Sequence, residues 1–185
     1  GEWRMKLASD LNAVAKVPVN PVDNPFIPTV LYNAMIRPLV PYAVRGAIWY
    51  QGENNAPHAY RYRDLLPQMI ASWRNDWNSQ FPFLIVQLAN YMQRKDQPVE
   101  SEWAELREAQ LLTSETVAGS GLAVAVDVGL ADDIHPTDKQ TVGRRLSLVA
   151  RRVAYGENIA SSGPLYQSHK IEGGAIRLTF AHVDG

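Results

Sequence analysis

Phe81-Pro82-Phe83-Leu84-Ile85-Val86-Gln87-Leu88 is a near-continuous apolar run. A strand with one wet face alternates apolar and polar residues. An unbroken run therefore marks a strand covered on both faces, as in parallel sheets. On its amino side, Tyr62, Leu65, Leu66, Met69, Ile70, Trp73 and Trp77 recur at offsets of three and four, which predicts a helix over 58–77. On its carboxyl side, Trp103, Leu106, Gln110, Thr113 and Val117 share one side of a helix over 103–117. Farther out lie two more strand-like runs, 45–51 and the valine-rich 122–128. A third helix over 138–155 aligns Val142, Leu146, Val149 and Val153. Strand, helix, strand, helix, strand, helix predicts a parallel sheet with helices on both faces and right-handed crossovers.

The flanks have a different texture. Pro18, Pro21, Pro25 and Pro28 make residues 1–28 an irregular lead-in segment. Thr29 can cap a helix that runs to about Val40, where Pro38 and Pro41 end it. After Gly156, two β-like runs between Leu165 and Val183 surround Glu172-Gly173-Gly174, a hairpin signal. Two strands alone are marginal in water, so this tail is expected to pack on the α/β body or to belong to a larger β domain. The expected organisation is thus 1–28 lead-in, 29–158 α/β domain, 159–185 β-rich tail.

Bulk composition narrows the function. A chain of 185 residues, 46% hydrophobic and 20% charged, can build one domain with a sizeable core. A net charge of -1 without basic blocks gives no electrostatic footprint for nucleic acid or an anionic membrane. The apolar runs are too short to span a bilayer. With no cysteine, disulfides and thiolate chemistry are excluded, while the compartment stays open.

Two polar segments follow expected strands. Trp49-Tyr50-Gln51-Gly52-Glu53-Asn54 comes straight after Ala47-Ile48, and Asp132-Asp133-Ile134-His135-Pro136 comes after the valine-rich run. Open α/β sheets bind ligands outside the carboxyl ends of their strands. An amide, acids and an imidazole delivered there are most of an acyl-transfer site. Pro136 keeps His135 out of helical geometry, and Pro136 and Thr137 are expected to open the next helix. The reference pKa of histidine as a residue type, about 6.5, makes histidine the usual general base of acyl transfer. Asp132, three residues earlier, can return its carboxylate to Nδ1, and Asp133 at two residues is a rival. The Gln51 amide can donate to a developing oxyanion. Gly52 allows close backbone approach or positive φ. Glu53, ionised, can accept hydrogen bonds that hold the loop. His58 falls at a helix start, and His169 and His182 read as structural residues of the tail. No metal-ligand spacing occurs. Gly119-Ser120-Gly121 precedes a strand instead of following one, which puts it at the wrong end of the sheet for phosphate binding. No serine stands in a recognisable nucleophile motif.

Several short segments occur together in one order: Thr29 to Ile36, Gly46 to Glu53, Phe81-Pro82-Phe83 with Val86 to Ala89, Leu106 to Gln110, Asp133-Ile134-His135-Pro136 with Lys139-Gln140, and Ser162 to Tyr166. Over residues 28–183 the chain resembles the SGNH/GDSL hydrolase superfamily, in particular its sialate O-acetylesterase branch of carbohydrate esterases. The resemblance implies a flavodoxin-like, three-layer α/β/α fold with a parallel sheet, incomplete at its amino-terminal side. It implies hydrolysis of acetyl esters on sugars by serine and histidine, without a metal or other cofactor, and a periplasmic or secreted setting. His135 matches the family's catalytic histidine. Asp132 matches the superfamily's Asp-x-x-His acid, and Asp133 the Asp-Ile-His-Pro wording of this branch. Gln51 stands where an oxyanion-hole asparagine is common. The family's nucleophile segment is absent here and is expected to precede residue 1, in a missing amino-terminal part. The partner so implied is an acetylated sugar or glycan. The alternative is a non-catalytic carbohydrate-binding or scaffold protein that uses its tryptophans and tyrosines to stack on sugars.

Overall fold

A computed structural model describes residues 27–183. The chain divides into two units, Gly1–Tyr42 and Ala43–Gly185. The irregular lead-in expected over 1–28 lies almost wholly outside the described residues.

In the first unit the helix expected over 29–40 is not a regular α-helix. A wide π-type turn covers Tyr32–Ile36 and a tight 3-10 turn covers Arg37–Leu39. Pro38 lacks an N–H to donate, so an α-helical ladder could not continue through it.

The second unit is built around three parallel strands, β1 (Ala47–Trp49), β2 (Phe83–Val86) and β3 (Ser120–Ala123), in the order β1-β2-β3. Ala47, Ile48 and Trp49 pair with Phe83, Leu84 and Ile85, and Phe83 to Val86 pair with Ser120 to Ala123. β2 is central, and all four of its residues are buried. Helices α1 (Ala59–Asp76) and α2 (Glu102–Thr116) cover one face: Phe83 and Ile85 join Tyr62, Leu66, Ile70, Leu106 and Ala109 in one cluster. Helix α3 (Lys139–Val153) covers the other, where Leu84 and Ala123 meet Val149, and Val86 meets Val142. This is the three-layer arrangement read from the sequence. The opposite face of β1 is bare, with Ile48 66% exposed.

The third strand departs from expectation. Pairing starts at Ser120 and stops at Ala123, so Val124, Val126 and Val128 lie in the loop beyond it. A strand lasts only while it has a partner, and β2 offers four residues. The small side chains of β3 have their own use. A Cβ on Gly121 would stand 2.6 Å from Val149 Cγ1 and 2.9 Å from Val153 Cγ2, so glycine lets α3 lie close against the sheet.

Helix α3 begins at Lys139, beyond the Pro136-Thr137 pair expected to open it. Asp138 is its N-cap, accepting from the Thr141 amide at 2.9 Å. Ser101 caps α2 in the same way, accepting from the Ala104 amide.

The tail forms the expected hairpin, β4 (Leu165–Glu172) and β5 (Ala175–Ala181), turning at Gly173-Gly174. Tyr166, His169 and Ile171 pair with Phe180, Leu178 and Ile176, which makes one apolar face. Ile171, Ile176, Leu178 and Phe180 are all exposed. The hairpin therefore does not bury this face on the α/β body.

Arg74 shows how the opposite, amino-terminal edge of the sheet is held. This buried guanidinium donates to the carbonyls of Phe81 at 3.0 Å and Gly119 at 3.3 Å, just before β2 and β3. Arg74→Met keeps an unbranched apolar stem and removes the donors. It is expected to cost roughly 1–3 kcal/mol, read as a lower urea midpoint at unchanged slope. An unchanged midpoint would mean that water satisfies both carbonyls equally well.

Candidate active site

The two polar segments both leave the carboxyl edge of the sheet. Tyr50, next to Gln51, packs with Val86, Ala89, Ala125 and Val142. The Lys139 ammonium, four residues after His135, lies 5.3 Å from the centre of the Tyr50 ring. Ile134, beside His135, packs against the core cluster under α1 and α2. The segment after β3 is also tied to the segment after β2. Gly129 N–H donates to Asn90 Oδ1 at 2.7 Å and Met92 N–H to the Ala131 carbonyl at 3.0 Å. A Cβ on Gly129 would fall 2.0 Å from the Asn90 carbonyl oxygen, so only glycine fits this crossing.

At β1's exit, the Gln51 carbonyl accepts from Gln110 Nε2 at 3.2 Å and from Tyr62 Oη at 3.4 Å. Tyr62 Oη in turn accepts from Trp49 Nε1 at 3.0 Å. Burial raises the Tyr62 pKa, the Trp49 hydrogen bond opposes this, and the Glu53 charge adds to it. Tyr62 is thus a neutral donor throughout the working pH range. Gly52 sits at φ 144°, a conformation open to glycine. Its N–H donates to Glu53 Oε2 at 2.9 Å, so Glu53 accepts a loop-holding bond. The Gln51 side chain is exposed, and its carboxamide makes no hydrogen bond among the described residues.

At β3's exit the His135 imidazole is 87% exposed. Its Nδ1 lies 3.5 Å from Asp133 Oδ1, an approach at the limit of a hydrogen bond. The same oxygen accepts from the His135 backbone N–H at 2.8 Å. Asp132 is exposed and makes no hydrogen bond or ion pair with His135. No side-chain contact joins Gln51 to His135, and no serine hydroxyl reaches His135 among the described residues. A cavity of about 500 Å³ lies elsewhere, lined by Val126, Asp127, Arg145, Leu148 and Ser162 among others.

The other histidines lie in structural positions, and two of them have partners. His58 ends a 3-10 turn, Glu53–His58, that leads into α1. His169 Nδ1 pairs with Tyr166 Oη at 2.7 Å, and His182 Nδ1 with Ser162 Oγ at 2.6 Å. Among the described residues no carboxylate contacts His182, so this serine and histidine lack an orienting acid. No group of three potential metal ligands occurs among the described residues, and no helix there is long and apolar enough to cross a membrane. Trp49, Trp73, Trp77 and Trp103 belong to the core cluster, which leaves them little face for sugar stacking.

Residues 22–149 match the family described as carbohydrate esterase, sialic acid-specific acetylesterase. The chain belongs to this family. The sialate O-acetylesterase of Rattus norvegicus is 39% identical over 166 residues, which cover 80% of this chain and 31% of that protein. The sialate O-acetylesterase of Homo sapiens is 35% identical over 186 residues, covering 89% of this chain and 35% of that protein. The crystal structure of a carbohydrate acetylesterase from Xanthomonas citri matches with a TM-score of 0.78 at 46% identity, covering 84% of this chain and 36% of that one. The chain spans about a third of the length of these relatives.

Sequence reasoning passed over the groups that hold this edge. Tyr62 and Gln110 both lay on predicted core stripes, and their hydrogen bonds to Gln51 are contacts between distant segments. The one signal was a long amide side chain at a core position, in a stripe otherwise made of Trp103, Leu106, Thr113 and Val117.

The loop that carries His135 is anchored to α3 by Arg145. Its guanidinium donates to Asp127 at 2.5 and 2.7 Å and to the Val124 carbonyl at 3.0 Å. The hydrogen bonds from Arg145 hold the Asp127 carboxyl below its ordinary range. A depressed folded-state pKa contributes stability that is complete above the unfolded-state value and lost as pH falls through the folded one. The pair is exposed, so the effect is small. The gap in urea midpoint between this chain and Asp127→Asn is expected to close as pH drops below about 3.9. A gap that does not change with pH would show no such linkage.

Proposed function

We propose that the whole protein is a carbohydrate O-acetylesterase that removes acetyl groups from sugar hydroxyls, and that Gln51 and His135 belong to its active site. One observation carries the reading. In a chain of this family, Tyr50 and Lys139 bring the segments of Gln51 and His135 to the same edge of the sheet. Relatives named sialate O-acetylesterase and carbohydrate acetylesterase support an acetylated sugar as substrate. A periplasmic or secreted setting fits such substrates. The nucleophilic serine belongs to a part of the protein outside this chain. Residues 29–158 form the carboxyl-terminal part of the catalytic domain, and 159–185 open a β-rich domain, as the bare apolar face of the hairpin suggests.

In this mechanism the serine oxygen adds to the acetyl carbonyl as its proton passes to His135 Nε2. The carbonyl oxygen becomes an oxyanion, to which the unpaired Gln51 carboxamide donates. The carbonyl re-forms as the sugar oxygen leaves with the proton from His135, and an acetyl-serine remains. Water, deprotonated by His135, releases acetate by the same route. Asp133, the carboxylate that approaches Nδ1, keeps that nitrogen protonated and stabilises the imidazolium.

In the whole protein, Asp133→Asn is expected to lower kcat by orders of magnitude with little change in KM, and Asp132→Asn to be mild. The reverse result would move the role to Asp132. Gln51→Ala is expected to lower kcat by ~10²–10³ at nearly constant KM. Full kcat per titrated active site would remove Gln51 from the mechanism.

The chain by itself, with no serine hydroxyl beside His135 among the described residues, is expected to turn over p-nitrophenyl acetate no faster than a histidine-matched control. Stoichiometric labelling by a fluorophosphonate, at Ser162 beside His182 or at any other serine, would overturn this expectation.

A further inference from the structure

Gln110 is a polar residue where the stripe of α2 calls for an apolar one. It is fully buried, with 0% exposure. A buried primary amide is costly unless its groups are bonded. Both ends of this one are used. Oε1 accepts from the Leu88 N–H at 2.9 Å, and Nε2 donates to the Gln51 carbonyl at 3.2 Å. Those two backbone groups belong to the segments that leave β2 and β1. The last paired residues of these strands are Trp49 and Ile85. Beyond them the carboxamide of Gln110 bridges the two chains as a peptide unit of a third strand would.

The neighbouring geometry reinforces the bridge. Tyr62 Oη reaches the same Gln51 carbonyl at 3.4 Å. Gly52 then lies against α2, where an added Cβ would stand 3.1 Å from Leu106 Cδ2 and 3.5 Å from Gln110 Nε2. The Gly52 N–H is taken by Glu53. The Gln51 carbonyl and the Gly52 N–H are thus both engaged, while the Gln51 side chain is exposed and makes no hydrogen bond among the described residues.

We propose that Gln110 is a positioning residue: its buried carboxamide, spliced between the Gln51 carbonyl and the Leu88 amide, fixes the Gln51 backbone and so aims the Gln51 side chain at the oxyanion. The proposal rests on the acetylesterase reading above. Gln110 touches no reacting atom and acts only through Gln51. A misplacement of about 1 Å in such a site can cost about 10²-fold in rate.

The test is a double-mutant cycle in the whole protein, with kcat per titrated active site for Gln110→Leu, Gln51→Ala and the pair. Gln110→Leu is expected to lower kcat by about 10- to 10²-fold with KM within about twofold. The double variant is expected to be no slower than Gln51→Ala alone, because Gln110 then has no donor left to aim. Losses that simply multiply would overturn the proposal. Gln110→Glu keeps the shape and the acceptor for Leu88 but loses the donor to Gln51. It covers the case in which the leucine variant fails to fold, and it is expected to share the kcat loss. Wild-type kcat in the folded variants would also overturn the proposal. Hydrogen exchange at the Leu88 amide reads the bridge without reference to activity. It is expected to speed up in Gln110→Leu and not in Gln51→Ala, and unchanged exchange would remove the bridge. Should Gln51→Ala keep full kcat, the oxyanion role fails and the positioning role with it. Faster Leu88 exchange in Gln110→Leu would then locate the failure in the enzymatic reading and not in the bridge.

Discussion

Everything in the α/β unit depends on covering β2 from both sides. Phe83 and Ile85 point to one layer, Leu84 and Val86 to the other, and none of the four is more than 5% exposed. Four such side chains represent roughly 6–12 kcal/mol of burial at about 1.5–3 kcal/mol each, before the entropy of ordering them is subtracted. That gain requires helices on two faces, hence crossover connections and parallel strands. Glycine at 121 then allows α3 to settle close to β3. The position of every exit from the sheet, and so of every candidate functional loop, follows from this layering.

The ladder of backbone hydrogen bonds is short, and the groups beyond its end still need partners. At the carboxyl edge, side chains supply them. Gln110 serves Gln51 and Leu88, Asn90 serves Gly129, and Trp103 Nε1 serves the Ala89 carbonyl at 2.7 Å. At the amino edge Arg74 does the same for Phe81 and Gly119. Inner polar side chains are thus spent on holding loops. The outer ones, on Gln51 and His135, stay exposed and available for ligand chemistry. Rigid support beneath and free polar groups above is the arrangement expected of loops that carry function.

Two surfaces of the α/β unit keep apolar groups in water. One is the bare side of β1 at Ile48, and the other is the face of the hairpin lined by Ile171, Ile176, Leu178 and Phe180. A two-stranded hairpin cannot bury a face on itself, because side chains on one face of a pair stand beside each other and not over each other. Alternation along β4 and β5 gave that face its apolar character, and the fold of these residues leaves it uncovered.

Periodicity by itself determined the fold class. The stripe of Tyr62, Leu66 and Ile70, the double-sided run at β2 and the Gly173-Gly174 turn are local patterns, and local patterns are printed in order along a chain. The same holds for the edge on which Gln51 and His135 would fall, since strand direction decides that. What only the tertiary structure decided involves partners distant in sequence. The valine-rich run stops being a strand at Ala123 because β2 offers no further pairing, although Val124, Val126 and Val128 have the composition for it. Spacing put Asp132 first and kept Asp133 as a rival, whereas the fold of the turn brings Asp133 to 3.5 Å from the imidazole. Gln110 looked like one more member of a helix stripe until its amide was seen between residues 22 and 59 positions away. Hydrogen bonds are directional and short, so a sequence can show which residues are able to make them, while only the folded chain decides which ones meet.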